Sequence, residues 1–286
     1  MVTKIVATKL MSDAEIASKE SDYFTEADFP IIIRGDADVF DENDRLLLRF
    51  RKNVISKELT DLAVASYTKA AKSLHENRGA SAGALDRKKL ANYIGEFINP
   101  GKFRTKFKSG TTGIESKQAT SNLSPSNIIG YFDKHDRNLK TKGAPCRLTA
   151  FNRDHPELWE TALPFLKRCD ELFKELIPDR HELQRTQAAE TPDFIIPETA
   201  FSTVTINYSW RTGLHKDAGD YRPGYGNLIV IEDPNNPNSY TGGYTGFPQF
   251  GVAVDVRTGD FLAMDVHEWH CNTEMFLVNP QIQGNY

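Results

Sequence analysis

Long hydrophobic runs are missing: nowhere do about 18 apolar residues follow one another, which excludes a membrane-spanning helix. The first twenty residues, MVTKIVATKLMSDAEIASKE, interleave charge with each apolar stretch and lack a cleavage pattern, so a secretory signal is not expected. Cysteine is scarce. Cys146, Cys169 and Cys271 lie far apart, which excludes paired-cysteine zinc spacing and a disulfide framework. That usage points to a reducing, intracellular setting, cytoplasmic or nuclear. Neither sign of charge dominates, since 35 Lys and Arg against 39 Asp and Glu leave a net charge of −4. Nucleic-acid binding must therefore rest on a local basic patch. The stretch Arg78-Gly79-Ala80-Ser81-Ala82-Gly83 lacks the Lys-Ser/Thr ending of a phosphate loop, and neither GxGxxG nor GxSxG occurs. No repeat of fixed period is found.

What is present suffices for a globular core. Apolar residues make up 39% and charged residues 26% of 286, a length that suits two domains or one elaborated all-β barrel. The first thirty residues are polar and acidic and read as a loosely held arm. Pro30 to Ile33 and Leu46 to Phe50 read as a pair of strands, separated by the acidic turn Asp41-Glu42-Asn43-Asp44. From Ser56 the period becomes helical, with Leu59, Leu62, Ala63, Tyr67, Ala70 and Leu74 on one face and Gly79 as a stop. A second helix, capped by Asp86, gathers Leu90, Tyr93, Ile94, Phe97 and Ile98. Residues 100–128 read as a long polar surface loop.

Asp154-His155-Pro156 marks another helix start, with Asp154 as the cap. Its apolar face is Trp159, Leu163, Leu166, Phe173 and Ile177, and Pro164 within it predicts a kink. After Pro197 the period becomes two. Phe201 to Tyr208, Asn227 to Glu232, Gly251 to Val256, Phe261 to Val266 and Glu274 to Val278 read as strands of a sandwich or barrel, onto which the helices pack.

The chemistry concentrates in that β-rich third. His215-Lys216-Asp217 places an imidazole and a carboxylate two residues apart, so in extended chain both face the same way. Alone, an HxD pair is a common accident. His270 follows 55 residues later, just past a strand, and two imidazoles with one carboxylate make the facial triad of non-haem Fe(II) oxygenases. The bland alternative makes His215 a loop residue and His270 a residue packed near Trp269. His267 competes for the third position, but it would project differently and better suits an outer role. The run His267-Glu268-Trp269-His270 is one residue short of HExxH, so a zinc-protease helix is not supported. Cys271 reads as a quiet small residue.

The stretch Arg211-Thr212-Gly213-Leu214-His215-Lys216-Asp217-Ala218-Gly219-Asp220 resembles the iron-binding segment of the TET/JBP family of 2-oxoglutarate/Fe(II)-dependent nucleobase dioxygenases. Phe247 to Asp260 resembles that family's central strands, His270-Cys271-Asn272-Thr273-Glu274 its distal-histidine segment, and Cys146 to Phe151 its approach to the long helix. The resemblance covers about residues 130–286. It implies an α+β fold with a double-stranded β-helix (jelly-roll) core in residues 129–286 and flanking helices from the N-terminal half. Residues 1–128 then form a part of strands and helices with a basic loop. It further implies that His215, Asp217 and His270 hold Fe(II), with 2-oxoglutarate and O2 as co-substrates and ascorbate as reductant. The expected reaction is oxidation of the 5-methyl group of 5-methylcytosine or thymine in DNA. The base would be flipped out of a duplex or presented by a single strand. No membrane and no obligate protein partner is expected.

One departure stands out. The family pairs the far carboxylate of 2-oxoglutarate with an arginine on the last strand, beyond the distal histidine, as guanidinium geometry favours. Past Arg257 this sequence has neither Arg nor Lys, so the expectation is that the natural chain continues beyond Tyr286. Otherwise Arg211 is the best remaining anion partner, with a solvent-facing loop cation as its alternative role. For nucleic acid, Lys102, Arg104, Lys106 and Lys108 alternate with Phe103 and Phe107, so cations could meet phosphates while rings stack. An amphipathic strand with solvated charges explains the same pattern. Tyrosines around Tyr221 to Gly226 and Tyr240 to Gly246 could line a mouth, or simply pack and turn. Two other functional readings stay open: a hydroxylase of the same fold acting on a protein side chain or small metabolite, and a non-catalytic nucleic-acid-binding relic.

Overall fold

The computed structural model describes residues 1–72, 74–75, 79–83, 107–108, 115–116, 124–133 and 146–278. The chain opens with β1 (Thr3–Ala7), α1 (Asp13–Ala17), β2 (Ile31–Ile33), β3 (Ala37–Asp41), β4 (Leu46–Arg51) and α2 (Lys57–Ala71). Short strands β5 (Leu74–His75), β6 (Phe107–Lys108) and β7 (Glu115–Ser116) precede β8 (Ser124–Asp133) and β9 (Cys146–Leu148). Three helices follow, α3 (Ala150–Asp154), α4 (Pro156–Leu176) and α5 (Pro178–Ala189). The last third holds β10 (Thr203–Asn207), β11 (Gly226–Leu228), β12 (Tyr240–Gly242), β13 (Thr245–Phe247), β14 (Val252–Val254), β15 (Phe261–Met264), β16 (Cys271–Asn272) and β17 (Met275–Leu277). The fold is α+β with several sheets.

Two sheets position the site. One runs β1-β3-β4-β15-β11 and the other β16-β13-β14-β2. Their facing sides meet in a shared core in which Val39, Leu48, Phe50, Leu262 and Met264 of the first pack with Phe247, Val252 and Val254 of the second. The strands here are apolar on both faces because both faces are covered. Behind the first sheet, Phe261 and Ala263 pack with Phe165, Leu166, Leu172 and Phe173 of α4 and with Ala63 and Tyr67 of α2. Behind the second, Ala253 and Cys271 pack with Ile16, Phe24 and Phe29 from the chain's start. Each large apolar side chain buried this way contributes about 1.5–3 kcal/mol, so both outer layers are integral to the fold.

The first thirty residues are therefore no loose arm. Ser12 caps α1 in a reciprocal box with Glu15, and Ile16 is fully buried. The expected pairing of the strands at Pro30–Ile33 and Leu46–Phe50 also fails. β2 lies parallel to β14, and β4 pairs antiparallel with β3 at Ala37–Asp41. The acidic turn does close a hairpin, but between β3 and β4. Both of these sheets thus draw strands from either side of residue 128.

Ser56 sits at the N-cap of α2 as expected, though that helix ends at Ala71. Asp154 ends α3 instead of capping the long helix, whose N-cap is His155. Pro164 lies inside α4, which ends before Pro178 as read. Helix α5 has no apolar period by which its sequence could announce it, and only His181 in it is buried. The helix expected from Asp86 and most of the loop at 100–128 lie outside the described residues. Among the described residues no helix is long and apolar enough to cross a membrane.

Candidate metal centre

His215 and His270 meet as an isolated antiparallel bridge, each backbone N–H donating to the other's carbonyl at 3.0 Å. The segment around His215 is held on both sides. Ser21 N–H donates to the Leu214 carbonyl and Leu214 N–H to that of Asp22, both at 2.8 Å. On the other side Asn272 N–H donates to Thr212 at 3.2 Å and Asp217 N–H to Val266 at 3.0 Å. Gly213 lies between the two flanks. A Cβ there would come within 2.7 Å of Gly83 Cα and 2.8 Å of the Ser21 carbonyl, so the close approach requires glycine.

Extended geometry then aims the side chains together, as the HxD spacing predicts. One ligand atom from each of His215, Asp217 and His270 lies within 4.8 Å of the others. His215 Nε2 is 3.5 Å from Asp217 Oδ1 and His270 Nε2 is 3.7 Å from Asp217 Oδ2. The imidazole side chains are 12% and 6% exposed and the carboxylate 43%, so the cluster is walled by its histidines and open past its acid. His270 also stands 6.3 Å from the Phe247 ring of the shared core.

Both rings are oriented from behind. His215 Nδ1 lies 2.8 Å from the Gly213 carbonyl and His270 Nδ1 lies 2.9 Å from the Glu268 carbonyl. A carbonyl can only accept, so each Nδ1 carries a proton and donates, and in the neutral form of the ring the Nε2 lone pair then faces Asp217. Two neutral imidazoles presenting lone pairs beside a carboxylate form a donor set for a divalent transition metal. The arrangement fits iron with coordination positions left for other ligands.

Around this cluster the structure sorts the remaining candidates. His267 is not in it; its amide donates to Asp265 Oδ1 at 3.1 Å and its Nε2 is buried without a protein hydrogen bond. Asp220, whose amide donates to the Asp217 carbonyl, has a carboxyl pushed up to about 6 by desolvation and then by the Asp217 charge. Burial pushes the Cys271 thiol up, in keeping with a quiet residue. Arg211 is fully buried, its guanidinium donating to the Phe24 carbonyl at 2.6 Å and facing Glu274 at 3.8 Å, with the Tyr23 ring beneath it. It is no solvent-facing cation. Tyr225 and Tyr244 are buried packing residues, Tyr225 donating to the Leu46 carbonyl, while Tyr221 is partly exposed. Lys102, Arg104 and Lys106 lie outside the described residues, and Lys108 falls in β6, which pairs with β7. Sequence reasoning missed Arg45, whose guanidinium engages Asp265 and Glu268 in the turn before His270.

The family match and the curated relatives point the same way. Residues 127–283 match the model of the Tet_JBP family, described as the oxygenase domain of the 2OGFeDO superfamily. Thymine dioxygenase JBP1 of Crithidia fasciculata is 30% identical over 213 residues, 73% of this chain and 24% of the relative. The bifunctional helicase and thymine dioxygenase JBP2 of Leishmania major is 36% identical over 155 residues, 54% of this chain and 13% of the relative. The chain thus spans a quarter or less of the length of these curated relatives. A solved structure of NgTET1 in complex with 5mC DNA aligns over 96% of this chain and 77% of that chain, at 10% identity and a TM-score of 0.43. The superfamily is one of iron and 2-oxoglutarate, and the family match covers more than half the sequence, including all three clustered residues. The chain belongs to the Tet_JBP family of 2-oxoglutarate/Fe(II) oxygenase domains.

Proposed function

We propose that this chain is a 2-oxoglutarate- and Fe(II)-dependent dioxygenase that oxidises the 5-methyl group of thymine or 5-methylcytosine in DNA. The observation that carries the reading is the convergence of His215, Asp217 and His270, with both imidazoles locked by backbone carbonyls so that their Nε2 atoms face one carboxylate. In this reading His215, Asp217 and His270 hold the iron. Iron with 2-oxoglutarate and O2 supplies the oxidising power for a methyl C–H bond, and ascorbate keeps the metal reduced.

The protein's own part is placement. The two facing sheets, read as a double-stranded β-helix, bury the histidines and leave the Asp217 side open to co-substrate and base. A methyl on a stacked base cannot reach so enclosed a centre, so the base is flipped from a duplex or taken from a single strand. Residues 1–128 contribute core strands and, through Lys102, Arg104, Lys106 and Lys108, contact phosphates. Arg211 would reach a co-substrate carboxylate only by exchanging its partner Glu274 for it.

Nucleoside mass spectrometry tests the reading on DNA containing both thymine and 5-methylcytosine, incubated with protein, Fe(II), 2-oxoglutarate and ascorbate. A hydroxymethyl, formyl or carboxyl pyrimidine is the expected product and names the base. Succinate formation with no modified base would move the substrate to a protein side chain or metabolite.

A further inference from the structure

Arg45 lies in the turn that ends the β3–β4 hairpin, far in sequence from the metal cluster. Its own turn is tightly built: Asp41 Oδ1 accepts the amides of Asn43 and Arg45, and Asp41 Oδ2 accepts Arg45 Nε at 2.9 Å. The other end of the guanidinium crosses to the C-terminal half. Arg45 Nη1 donates to Asp265 Oδ2 at 3.1 Å and to Glu268 Oε1 at 2.7 Å. Three carboxylates thus share one planar cation, a task that suits the fixed fork of arginine and not the point charge of lysine.

Those two distant acids bracket the turn that delivers His270. Asp265 N–H donates to the Leu47 carbonyl in β4, the strand that Arg45 leads into, and Glu268 N–H closes the turn on the Asp265 carbonyl at 3.1 Å. The Glu268 carbonyl then accepts His270 Nδ1 at 2.9 Å. A chain of direct contacts therefore runs from Arg45 through the Glu268 side chain and backbone to the imidazole, which it turns toward Asp217. Burial pulls the Arg45 pKa down, but hydrogen bonds to Glu268 and Asp41 more than offset this and leave it above the ordinary value, so the charge is permanent.

We propose that Arg45 is a positioning residue for the metal centre, pinning the Asp265–Glu268 turn so that the Glu268 carbonyl fixes the orientation of His270. This rests on the reading of His215, Asp217 and His270 as the metal site. Groups that orient a ligating histidine from behind typically govern about 10- to 100-fold of metal affinity. Arg45 acts one step further back, so the effect belongs at the lower end of that range.

The test is titration of wild type, Arg45→Lys and Arg45→Met with Co(II) alone, read by visible absorption, beside thermal unfolding without metal. Arg45→Met should lose affinity by about 10-fold and change the Co(II) band shape. Arg45→Lys, which cannot serve all three acids, should fall between. Wild-type affinity and spectrum in Arg45→Met, with only a lower Tm, would make the residue merely structural and overturn the proposal. Should Arg45→Met fail to fold, Glu268→Gln decides in the same way, weaker Co(II) binding supporting the proposal and unchanged binding overturning it. A wild-type chain that takes up no Co(II) would instead overturn the metal reading, and this inference with it.

Discussion

His215 and His270 exchange both backbone hydrogen bonds at 3.0 Å, with ring centroids 4.3 Å apart, although 55 residues separate them. Their side chains are therefore placed by a ladder and not by each other. Removing one ring leaves the backbone bridge intact, which makes ligand variants clean probes of the metal.

The first prediction follows from that independence. His215→Ala, Asp217→Asn and His270→Ala should each fold, yet lose the thermal stabilisation that Mn(II) or Co(II) gives the wild type. At metal concentrations of 100 times Kd that stabilisation is about 2.7 kcal/mol, so a scan with and without metal separates the variants clearly. A chelator should return wild type to the variants' Tm. Full metal-dependent stabilisation in any of the three would remove that residue from the site.

Gly213→Ala probes the close approach beside His215. The added methyl would meet backbone, the Gly83 Cα and the Ser21 carbonyl, and neither can swing aside as a side chain would. The expected cost is about 1–3 kcal/mol in urea unfolding. Displacing the Gly213 carbonyl, which accepts His215 Nδ1, should weaken metal binding as well. Unchanged stability and affinity would show that the approach is looser than the geometry states.

Asp41 gives a pH-dependent case. Burial opposes its charge, but the amide and guanidinium of Arg45 and the amide of Asn43 overcome this and hold the carboxyl below its ordinary value of 3.8. A depressed folded pKa means that the stabilisation is complete above the unfolded value and is lost as pH falls through the folded one. Asp41→Asn should therefore cost about 1–2 kcal/mol at pH 7, with the gap to wild type closing below about pH 4. A gap that stays constant to pH 3 would assign the effect to shape alone.

The metal cluster and the elements that hold it differ in how far the sequence announced them. The HxD pair was readable because extended chain has a period of two, but the choice of His270 as its distant partner came from the resemblance of the surrounding segments to the TET/JBP family. Five of the eight strands described after Pro197 were readable by that same period, whereas β12 and β13 lie in the Gly-rich stretch that reads as a turn and β16 is only two residues long. The first thirty residues read as loose because their buried side chains, Ile16, Phe24 and Phe29, are too few and too widely spaced to form a period. Their other anchors are backbone groups, Ser21 N–H on Leu214 and Leu214 N–H on Asp22, and only the Ser12–Glu15 box was a local signal. The β2–β14 pairing was equally silent, since three isoleucines suit any buried strand and nothing local names a partner at the far end of the chain. Arg45 looked like one surface cation among 35 basic residues until its three carboxylates were in place.

Lys102, Arg104, Lys106 and Lys108 give the quantitative test of DNA as partner, because counterion release counts charges. Each phosphate neutralised on a duplex adds about 0.9 to the slope of log K against log salt. Replacing all four with Ala should flatten that slope by up to about 3.6 and weaken binding across sequences alike. Replacing Phe103 and Phe107 instead should leave the slope and lower affinity for single strands, where rings can stack on bases. If the slope does not move when the charges go, the run is an amphipathic strand with solvated cations. The electrostatic footprint must then be sought on the face where Asp217 opens to solvent.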